Sequence, residues 1–278
     1  MININGTLVL PDKATLSFQN RAFKYGDGIF ETIRVENNRT VFLEDHYFRL
    51  MASMRMLRMK IPMAFTLEFL KQQILNTLEK GETKHSVFSA RITVYRKDGG
   101  RYAPKTNHID YLIETALVQP CQKKTYTLDL YKEFYSYSGL LSSVKTTNRM
   151  LNILASIYAE ENNLDNCILL NENKRVAEAI NGNIFIVKGS EIKTPALTEG
   201  CIRGIIRKKI IEIAVKHPDF SIEETNISPF EIQKADEVFI TNAIQGVISV
   251  TNYKKKVFQT VVANKLKNSL KLLSITAF

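Results

Sequence analysis

One lysine and one glutamate in this sequence have the types and settings that catalysis requires. Lys145 ends a short β-prone run and precedes a helical pattern, and Glu178 lies in the segment Val176–Phe185. A lysine in partly apolar surroundings has a lowered pKa and can form a Schiff base with an aldehyde. A carboxylate in the same site can keep a pyridinium nitrogen protonated. The pair therefore predicts an enzyme that uses pyridoxal 5'-phosphate (PLP) as an electron sink.

Two further features could bind the phosphate of such a cofactor. The segment Thr198–Arg207 is a glycine-containing turn that runs into a predicted helix, and exposed amides at a helix start favour anions. The same pattern is also typical of an ordinary loop before an amphipathic helix. Arg49, on an earlier predicted helix, could grip a phosphate bidentately or pair with Glu44 or Asp45.

Three other arginines are candidates for binding a substrate carboxylate. Arg34 and Arg91 each lie within a β-prone run, where an outward-facing surface arginine is equally common. Arg101 follows Gly99-Gly100, on a loop predicted to be flexible enough to close over a ligand. The four histidines (His46, His85, His108 and His217) have no metal-ligand spacing, so no metal site is predicted.

The composition indicates a soluble globular protein. The chain has 278 residues, of which 45% are hydrophobic and 24% charged. Neither a signal peptide at the N-terminus nor an apolar run of the roughly 20 residues that span a membrane is expected. Three cysteines (Cys121, Cys167 and Cys201) are far apart and lack CxxC spacing. We therefore expect neither disulfides nor zinc, and a reducing cytoplasm as the location.

The formal net charge of +10 permits two readings. Lysines and arginines cluster at 207–209 and 254–256, which could form a nucleic-acid patch. Charge runs are more often solvated surface, and no aromatic stacking motif or zinc finger accompanies them. A basic balance also suits an anionic substrate and cofactor, so we expect neither a nucleic-acid partner nor a membrane partner.

The order of predicted elements indicates an α/β (α+β) chain with two domains that meet at a cleft. A smaller N-terminal domain is predicted over 1–119, a linker over 120–124, and a larger domain with Lys145 over 125–278. The N-terminal domain is predicted to contain a hairpin around Asn5-Gly6, strands at 28–35, 40–43, 87–95 and 111–118, and helices at 46–57, capped by Asp45, and 67–80. The C-terminal domain is predicted to contain helices at 148–162, 202–216, from Pro229 and at 260–273, and strands at 167–171, 183–187, 191–193, 238–241 and 244–250.

Taken together, these segments resemble the class IV aminotransferase family of PLP-dependent enzymes. The resemblance runs from Arg21–Thr32 to Val250, and its motifs occur in the family's order. The family includes branched-chain aminotransferases, D-amino-acid aminotransferases and 4-amino-4-deoxychorismate lyase. The resemblance implies the family's two-domain fold and a homodimer with its active site near the subunit interface.

The resemblance also implies a role for each matching position. Lys145 matches the lysine that bonds to the cofactor and moves the proton, and Glu178 matches the carboxylate at the pyridine nitrogen. Phosphate binding is implied for Arg49 and for the helix start Gly204-Ile205-Ile206. The positions that match the family's substrate pocket or its loop are Tyr25, Phe30, Arg34, Arg91 and Arg101.

Three positions that depart from the family's pattern indicate which kind of enzyme within the family this chain resembles. Met150 stands where branched-chain enzymes usually have a tyrosine, and Ile206 and Ala243 stand where some members have threonines. Two runs are similar to those of the lyase: Lys145–Met150 and Thr241–Ile244. The resemblance implies that Asn242-Ala243, within the second run, lies at the cofactor. The lyase is therefore the favoured prediction, by a narrow margin. The alternatives are an aminotransferase for branched-chain L-amino acids or D-amino acids and, from another class, a non-enzymatic basic nucleic-acid-binding protein.

Overall fold

The chain divides into two compact units. The structure is a computed structural model that describes residues 1–78, 87–119 and 123–276. Unit 1 comprises Met1–Gln119 and Lys145–Asn148, and unit 2 comprises Pro120–Val144 and Arg149–Phe278. This division differs from the predicted one, because the segment with Lys145 groups with unit 1. Residues 120–122 of the predicted linker lie outside the described residues.

Unit 1 is built on one six-stranded antiparallel sheet. Its order is β2-β1-β6-β5-β3-β4. The strands are β1 (Ile2–Ile4), β2 (Thr7–Val9), β3 (Gly28–Glu36), β4 (Arg39–Thr40), β5 (Val87–Arg96) and β6 (Ile109–Leu117). The predicted hairpin between β1 and β2 is confirmed. Asn5 and Gly6 both have positive φ, 51° and 90°, as the two central residues of a tight hairpin turn require.

Among its described residues, unit 1 has three α-helices: α1 (Arg21–Tyr25), α2 (Leu43–Met56) and α3 (Leu67–Thr77). Two predictions about the start of α2 are wrong. The strand before it ends at Thr40 rather than at Leu43, because Leu43 is already buried in the helix. Asp45 lies in the first turn and does not cap it. Helix α1 was not predicted, and the predicted end of α3 at Lys80 lies outside the described residues.

Alternation along β5 separates the two faces of the unit 1 sheet. Phe88, Ala90, Ile92 and Val94 point to a buried face, so Arg91 between them points to the other. The buried face is the side of the sheet that α2 and α3 cover. Its fully buried apolar side chains include Leu50 and Met54 from α2, Leu70 and Ile74 from α3, and Ile33 and Ile113 from the sheet.

Unit 2 contains ten strands and four helices among its described residues. The strands are β7 (Thr127–Ser136), β8 (Asn166–Asn171), β9 (Val176–Ala179), β10 (Asn183–Lys188), β11 (Glu191–Pro195), β12 (Ser221–Thr225), β13 (Glu237–Asn242), β14 (Gly246–Val250), β15 (Asn252–Tyr253) and β16 (Lys256–Val257). The helices are α4 (Met150–Glu161), α5 (Ile205–Lys216), α6 (Pro229–Lys234) and α7 (Val261–Thr276).

The strands of unit 2 form two five-stranded sheets, in the orders β12-β11-β10-β13-β14 and β16-β15-β7-β8-β9. One apolar core joins the two sheets. Leu128 and Ile168 from the second sheet lie in the same cluster as Ile184 and Ile240 from the first. The cluster has no charged member, so burial of apolar surface holds the sheets together.

The helix predictions in unit 2 hold, with shifted ends. Helix α5 starts at Ile205 rather than at Ile202, and α6 begins with a capping box between Ser228 and Glu231. Strands β9, β12, β15 and β16 were not predicted. All four residues of β9 are buried, so the sequence shows no polar alternation there.

The described residues exclude two kinds of feature. Within them, no helix is long and apolar enough to cross a membrane, and no cluster of three or more His, Cys, Asp or Glu side chains could hold a metal ion. Cys167 and Cys201 are buried thiols outside any disulfide. Cys121 lies outside the described residues.

Candidate active site

The backbone of the Lys145 segment continues the sheet of unit 1. The N–H of Phe30 donates to the carbonyl of Lys145 (2.9 Å), and the N–H of Thr147 donates to the carbonyl of Gly28 (2.9 Å). Ile29 and Thr146 pair as an isolated antiparallel bridge. Gly28 is tightly packed, since an added Cβ would lie 3.2 Å from Cγ2 of Thr147 and would require that side chain to shift. These contacts position Lys145 against the start of β3.

The side chain of Lys145 lies over an aromatic ring that it shares with an arginine. Its Nζ is 4.3 Å from the centroid of the Phe30 ring, and the guanidinium carbon of Arg91 is 3.6 Å from the same centroid. Cations are attracted to the negative face of such a ring. Burial lowers the pKa of Arg91, an effect that Glu114 opposes from 3.6 Å. Both cationic groups therefore contact the ring of Phe30.

The other predicted substrate residues of unit 1 lie on two elements. Arg34 is two positions from Thr32, which pairs with Arg91, and Arg34 forms an ion pair with Glu36 (3.1 Å). Alternation places Arg34 and Arg91 on the face of the sheet that carries Phe30. Tyr25 ends α1, and its ring lies 5.8 Å from that of Tyr102.

Arg101 lies next to Tyr102 and is exposed, but its loop is tethered. Two carbonyls of that loop accept hydrogen bonds from the guanidinium of Arg21: Gly99 O (3.0 Å) and Arg101 O (2.7 Å). The loop that the sequence predicts to be flexible is thus held by its backbone.

Arg49 is bound by a carboxylate on the helix-covered face. Its Nε and Nη2 donate to Glu31 at 2.7 and 2.5 Å, and Glu31 also contacts Nδ1 of His46 at 2.7 Å. Burial raises the pKa of Glu31, but Arg49 and His46 outweigh it and lower that pKa to about 2. Burial lowers the pKa of His46, so we treat its imidazole as neutral and donating to Glu31. The predicted phosphate contact of Arg49 would have to coexist with this bidentate pair.

In unit 2, Glu178 is fixed by the chain that leads into α5. It lies on β9 with its side chain buried, and its Oε2 accepts the N–H of Ile202 at 2.9 Å. Ile202 is three residues before the first residue of α5. The same carboxylate therefore orients the turn that precedes the helix.

The start of α5 has the properties of an anion site. Gly204 flanks the helix without a side-chain cap, and the first-turn amides of any α-helix lack partners within the helix. A Cβ at Gly204 would lie 1.9 Å from Oδ1 of Asn183, so the backbone approach requires glycine. Asn183 in turn donates to the carbonyl of Ile202 at 2.8 Å.

A buried hydroxyl lies beside this helix start. Thr241 pairs with Asn183 across the strands β10 and β13, so the two side chains lie on the same face. Among the described residues, its Oγ1 is buried and has no hydrogen-bond partner. A buried polar atom without a partner is uncommon, and a phosphate oxygen would satisfy it. The donor set in unit 2 therefore fits a phosphate group.

The predicted turn Asn242-Ala243 is closed by its own asparagine. Oδ1 of Asn242 accepts the N–H groups of Ile244 and Gln245, at 3.1 and 2.8 Å. This Asx-type turn occupies the amide oxygen of Asn242. Ala243 offers no hydroxyl here, and Thr241 is the hydroxyl that sequence reasoning overlooked.

Three residues around the loop of Arg101 were also overlooked: Arg21, Asp27 and Arg96. Arg21 and Asp27 belong to the segment Arg21–Thr32 that carries the resemblance, yet no role was predicted for them. The sequence pattern that could have indicated them is an acidic residue between arginines in an apolar segment. This pattern is too common to predict an ion-pair cluster unless the fold is known.

The match to a family model identifies the class of protein. The model for amino-transferase class IV matches residues 28–253. The chain therefore belongs to the class IV aminotransferase family, whose members are PLP-dependent enzymes. The mixed α/β fold with two units agrees with the predicted fold class, which is confirmed.

Three relatives represent the kinds of enzyme in this family. A putative branched-chain-amino-acid aminotransferase of Methanocaldococcus jannaschii is 26% identical, over 97% of this chain and 93% of that protein. A D-alanine aminotransferase of Listeria monocytogenes is 25% identical, over 90% of this chain and 86% of its own length. The solved structure of a putative 4-amino-4-deoxychorismate lyase from Legionella pneumophila has a TM-score of 0.84 at 23% identity, and covers 95% of this chain and 97% of its own. Relatives of all three kinds match, so the subgroup does not follow from similarity.

Proposed function

We propose that this enzyme is a PLP-dependent lyase that converts 4-amino-4-deoxychorismate to pyruvate and 4-aminobenzoate, a folate precursor. The observation that carries the proposal is the shared ring of Phe30, over which Lys145 and Arg91 both lie. This arrangement puts an amine that can act as a base next to an anion-binding group. The substrate offers an amino group and carboxylates to those two groups.

Lys145 is the proposed catalytic base. When bound, the cofactor would supply an electron sink to the substrate carbon that carries the amino group. Nζ of Lys145 would hold the cofactor by its aldehyde group until substrate binds. The released amine would then take the proton from that carbon. The electron pair of that C–H bond would form a ring double bond as the bond from the ring to the enolpyruvyl oxygen breaks. Enolpyruvate would leave with the electron pair of that C–O bond and take up a proton to become pyruvate, and the ring would become aromatic.

Glu178 is proposed to hold the cofactor's pyridine nitrogen in its protonated form. Its buried position and its contact with the Ile202 N–H keep one oxygen oriented. A carboxylate in that role favours the spread of negative charge into the ring. Glu178 would therefore affect turnover more than it affects cofactor binding.

The phosphate is proposed to bind at the start of α5. Its donors would be the amides that follow Gly204, those of Ile205 and Ile206, with the hydroxyl of Thr241 and the turn Asn242-Ala243 beside them. We also propose a contribution from the positive charge of Arg49.

Two differences from aminotransferase patterns support the lyase. Met150 is the first residue of α4 and is exposed, so it cannot donate to the cofactor as a tyrosine would. Asn242-Ala243 closes its turn without a threonine hydroxyl at 243. Both departures fall where the lyase resemblance was strongest, in Lys145–Met150 and Thr241–Ile244.

The second candidate is an amino-acid aminotransferase. It is favoured by the M. jannaschii and L. monocytogenes relatives, whose names specify branched-chain and D-alanine substrates. In that reaction Lys145 would return the proton to the cofactor's C4' carbon, and the amino group would stay with the cofactor. The same cofactor-binding residues serve both reactions, so the substrate decides between them.

A substrate comparison distinguishes the two candidates. The PLP-loaded protein is incubated with 4-amino-4-deoxychorismate, and pyruvate and 4-aminobenzoate are measured. Parallel samples receive L-leucine, L-valine or D-alanine with 2-oxoglutarate, and the new keto acid is measured. Pyruvate release in equal amount with 4-aminobenzoate supports the lyase. Keto-acid formation without pyruvate release from the chorismate derivative would make the enzyme an aminotransferase.

Gly204→Ala tests the phosphate site. The added methyl group meets Asn183 and displaces the amides at the start of α5, so we expect PLP affinity to fall about tenfold or more. Equilibrium dialysis with PLP measures this. Gly189→Ala is the control: a Cβ there has nothing within 4 Å, so its φ of +59° should lower stability slightly without changing PLP affinity. Equal PLP affinity in both variants would place the phosphate elsewhere.

We also propose a homodimer in a cytoplasmic location. Helix α4 has a second apolar stripe beside its buried one, formed by Met150, Ile153 and Ile157, each about half exposed or more. A helix that is apolar on both sides usually needs a second partner surface. Light scattering during gel filtration would find twice the chain mass, and a monomer would remove the proposal. The two buried free thiols are compatible with a reducing compartment.

A further inference from the structure

One carboxylate in unit 1 joins two buried arginines. Asp27, between α1 and β3, accepts Nε of Arg21 at 2.8 Å and Nε of Arg96 at 3.0 Å, both on Oδ2. Arg21 and Arg96 are 3% and 7% exposed. Two guanidinium groups share one carboxylate, so each depends on Asp27 for its charge partner and for its orientation. We call these three residues the Asp27 clamp.

The Asp27 clamp holds both ends of the 97–107 loop. From Arg21, Nη1 donates to the carbonyls of Gly99 and Arg101 near the start of the loop. From Arg96, Nη1 donates to Oδ1 of Asn107 (2.5 Å) at its end, and Nη2 donates to the carbonyl of Leu57 (2.7 Å) at the end of α2. The loop that carries Arg101 is therefore fixed by groups that converge on one side chain.

Aromatic contacts extend the clamp to Tyr25. The guanidinium carbon of Arg21 lies 5.0 Å from the centroid of the Tyr25 ring. Tyr25 in turn packs against Tyr102, the loop residue after Arg101. The clamp thus sets the relative positions of an aromatic residue of α1 and the exposed arginine of the loop.

The backbone conformation of the loop requires glycine at position 100. Gly100 has φ of +79°, and a Cβ there would lie 2.1 Å from the carbonyl oxygen of Ala103. The loop is also closed by an isolated bridge between Gly100 and Pro104. An exposed arginine on a loop with a fixed backbone is suited to bind one kind of ligand selectively, whereas a flexible loop can adapt to many ligands.

We infer that Asp27 is a positioning residue that fixes the 97–107 loop, so that Arg101 selects substrates with a second anionic group. This inference rests on the proposed function, because it assigns substrate selection to that site. Asp27 acts through Arg21 and Arg96. Lys145 and Glu178, the residues proposed to hold the cofactor, are not members of the clamp. Loss of the clamp should therefore change KM for anionic substrates and leave PLP affinity unchanged.

Asp27→Asn is the variant that tests the clamp, because it keeps the shape and one acceptor oxygen and removes the charge. The first readout needs no activity: trypsin cleaves after Arg101, and the variant should be cut there about tenfold faster than wild type, as local opening becomes easier. The second readout is kinetic. KM for the anionic substrate should rise about tenfold, with kcat and PLP affinity within about twofold of wild type.

Two further variants keep the test decisive. Gly100→Ala disturbs the loop without touching the clamp, and it should raise KM and tryptic cleavage in the same way. Arg101→Ala should raise KM by itself, and adding Asp27→Asn to it should have little further effect on KM, since both act through one guanidinium. Asp219→Asn, at an exposed position in unit 2, is the control and should match wild type in every assay.

The results test separately the positioning role of Asp27 and substrate selection by Arg101. Unchanged cleavage after Arg101 in Asp27→Asn would overturn the positioning role. Faster cleavage with unchanged KM, or additive KM effects in the double variant, would overturn selection through Arg101. If Asp27→Asn fails to fold, Arg21→Lys, which keeps a positive charge beside Asp27 and loses the hydrogen bonds to the carbonyls of Gly99 and Arg101, is judged by the same criteria. Wild-type protein that binds no PLP and turns over no amino substrate would refute the proposed function, while the cleavage assay would still judge the clamp.

Discussion

The two faces of the unit 1 sheet handle charge in opposite ways, although adjacent residues of β3 contribute to each. On the helix-covered face, Glu31 binds Arg49 and His46; Glu31 and His46 are buried, and Arg49 is partly buried. On the other face, Phe30 lies under Arg91 and Lys145. We call these the Glu31 face and the Phe30 face.

This difference in charge indicates that the Glu31 face stabilises the fold and that the Phe30 face binds the ligand. A buried carboxylate with two donors is satisfied within the fold, and its pKa of about 2 means that it stays ionised. The Phe30 face instead gathers positive charge on a neutral ring, with Glu114 as a looser partner at 3.6 Å. A concentration of positive charge of this kind attracts anionic ligands. Substitutions on the Glu31 face should therefore affect folding, and those on the Phe30 face should affect substrate binding.

The largest expected effect follows from Glu31→Gln. The change leaves the guanidinium of Arg49 without its carboxylate in a buried setting, which typically costs about 3–5 kcal/mol. Urea unfolding monitored by circular dichroism measures the loss. Glu36→Gln is the control: its side chain is 44% exposed and that of its partner Arg34 is 27% exposed, so the free energy of unfolding should change by less than about 1 kcal/mol. Equal effects in the two variants would contradict the distinction between the faces.

Arg91→Lys should weaken substrate binding on the Phe30 face. Lysine keeps the charge but loses the planar fork that stacks on a ring and binds a carboxylate with two hydrogen bonds. We expect KM to rise about 10- to 100-fold, corresponding to roughly 1.4–2.8 kcal/mol, with PLP affinity unchanged. The comparison is Arg34→Lys, whose wild-type guanidinium is paired with Glu36 and whose KM should change less. A KM equal to that of wild type in Arg91→Lys would remove Arg91 from the substrate site.

The smallest effect is a pH dependence on the Glu31 face. Burial lowers the pKa of His46 in the folded state, so the unfolded chain takes up a proton there first as pH falls below 6.5. The free energy of unfolding should therefore decrease from this group as pH falls from 7.5 to 5.5. Glu31 does not contribute in that window, because its stabilisation is lost only as pH falls from 4.5 towards 2.

His46→Asn provides the matched test of that dependence. Asparagine keeps a donor for Glu31 but does not titrate, so the variant should lose less stability than wild type over this pH range. Urea unfolding at the two pH values measures both proteins. An identical pH dependence would show that His46 does not change its protonation on unfolding.

Local signals predicted part of this architecture. The hairpin at Asn5-Gly6 and the helix start at Ser228 depend on residues within a few positions of each other, and both occur. The start of α2 was misplaced, because burial of Leu43 against the sheet outweighs the capping preference of Asp45. Strand β9 was missed because full burial removes the polar alternation that identifies a strand.

The site was predicted by residue type, and its contacts were not. Lys145, Phe30 and Arg91 were each named from the sequence, but their convergence requires the backbone pairing of Lys145 with Phe30, more than a hundred residues apart in the chain. The ion pair of Arg49 with Glu31 and the orphan hydroxyl of Thr241 likewise depend on elements that only the fold brings together. No single-sequence pattern encodes such long-range contacts.

The central claim is that Lys145 on the Phe30 face bonds to the cofactor. The most direct measurement is reduction of the PLP-loaded protein with borohydride, followed by proteolysis and mass spectrometry of the peptides. We predict a pyridoxyl group on Lys145, and none in Lys145→Ala treated in the same way. A pyridoxyl group on another lysine of the wild-type protein, or on none, would contradict the account.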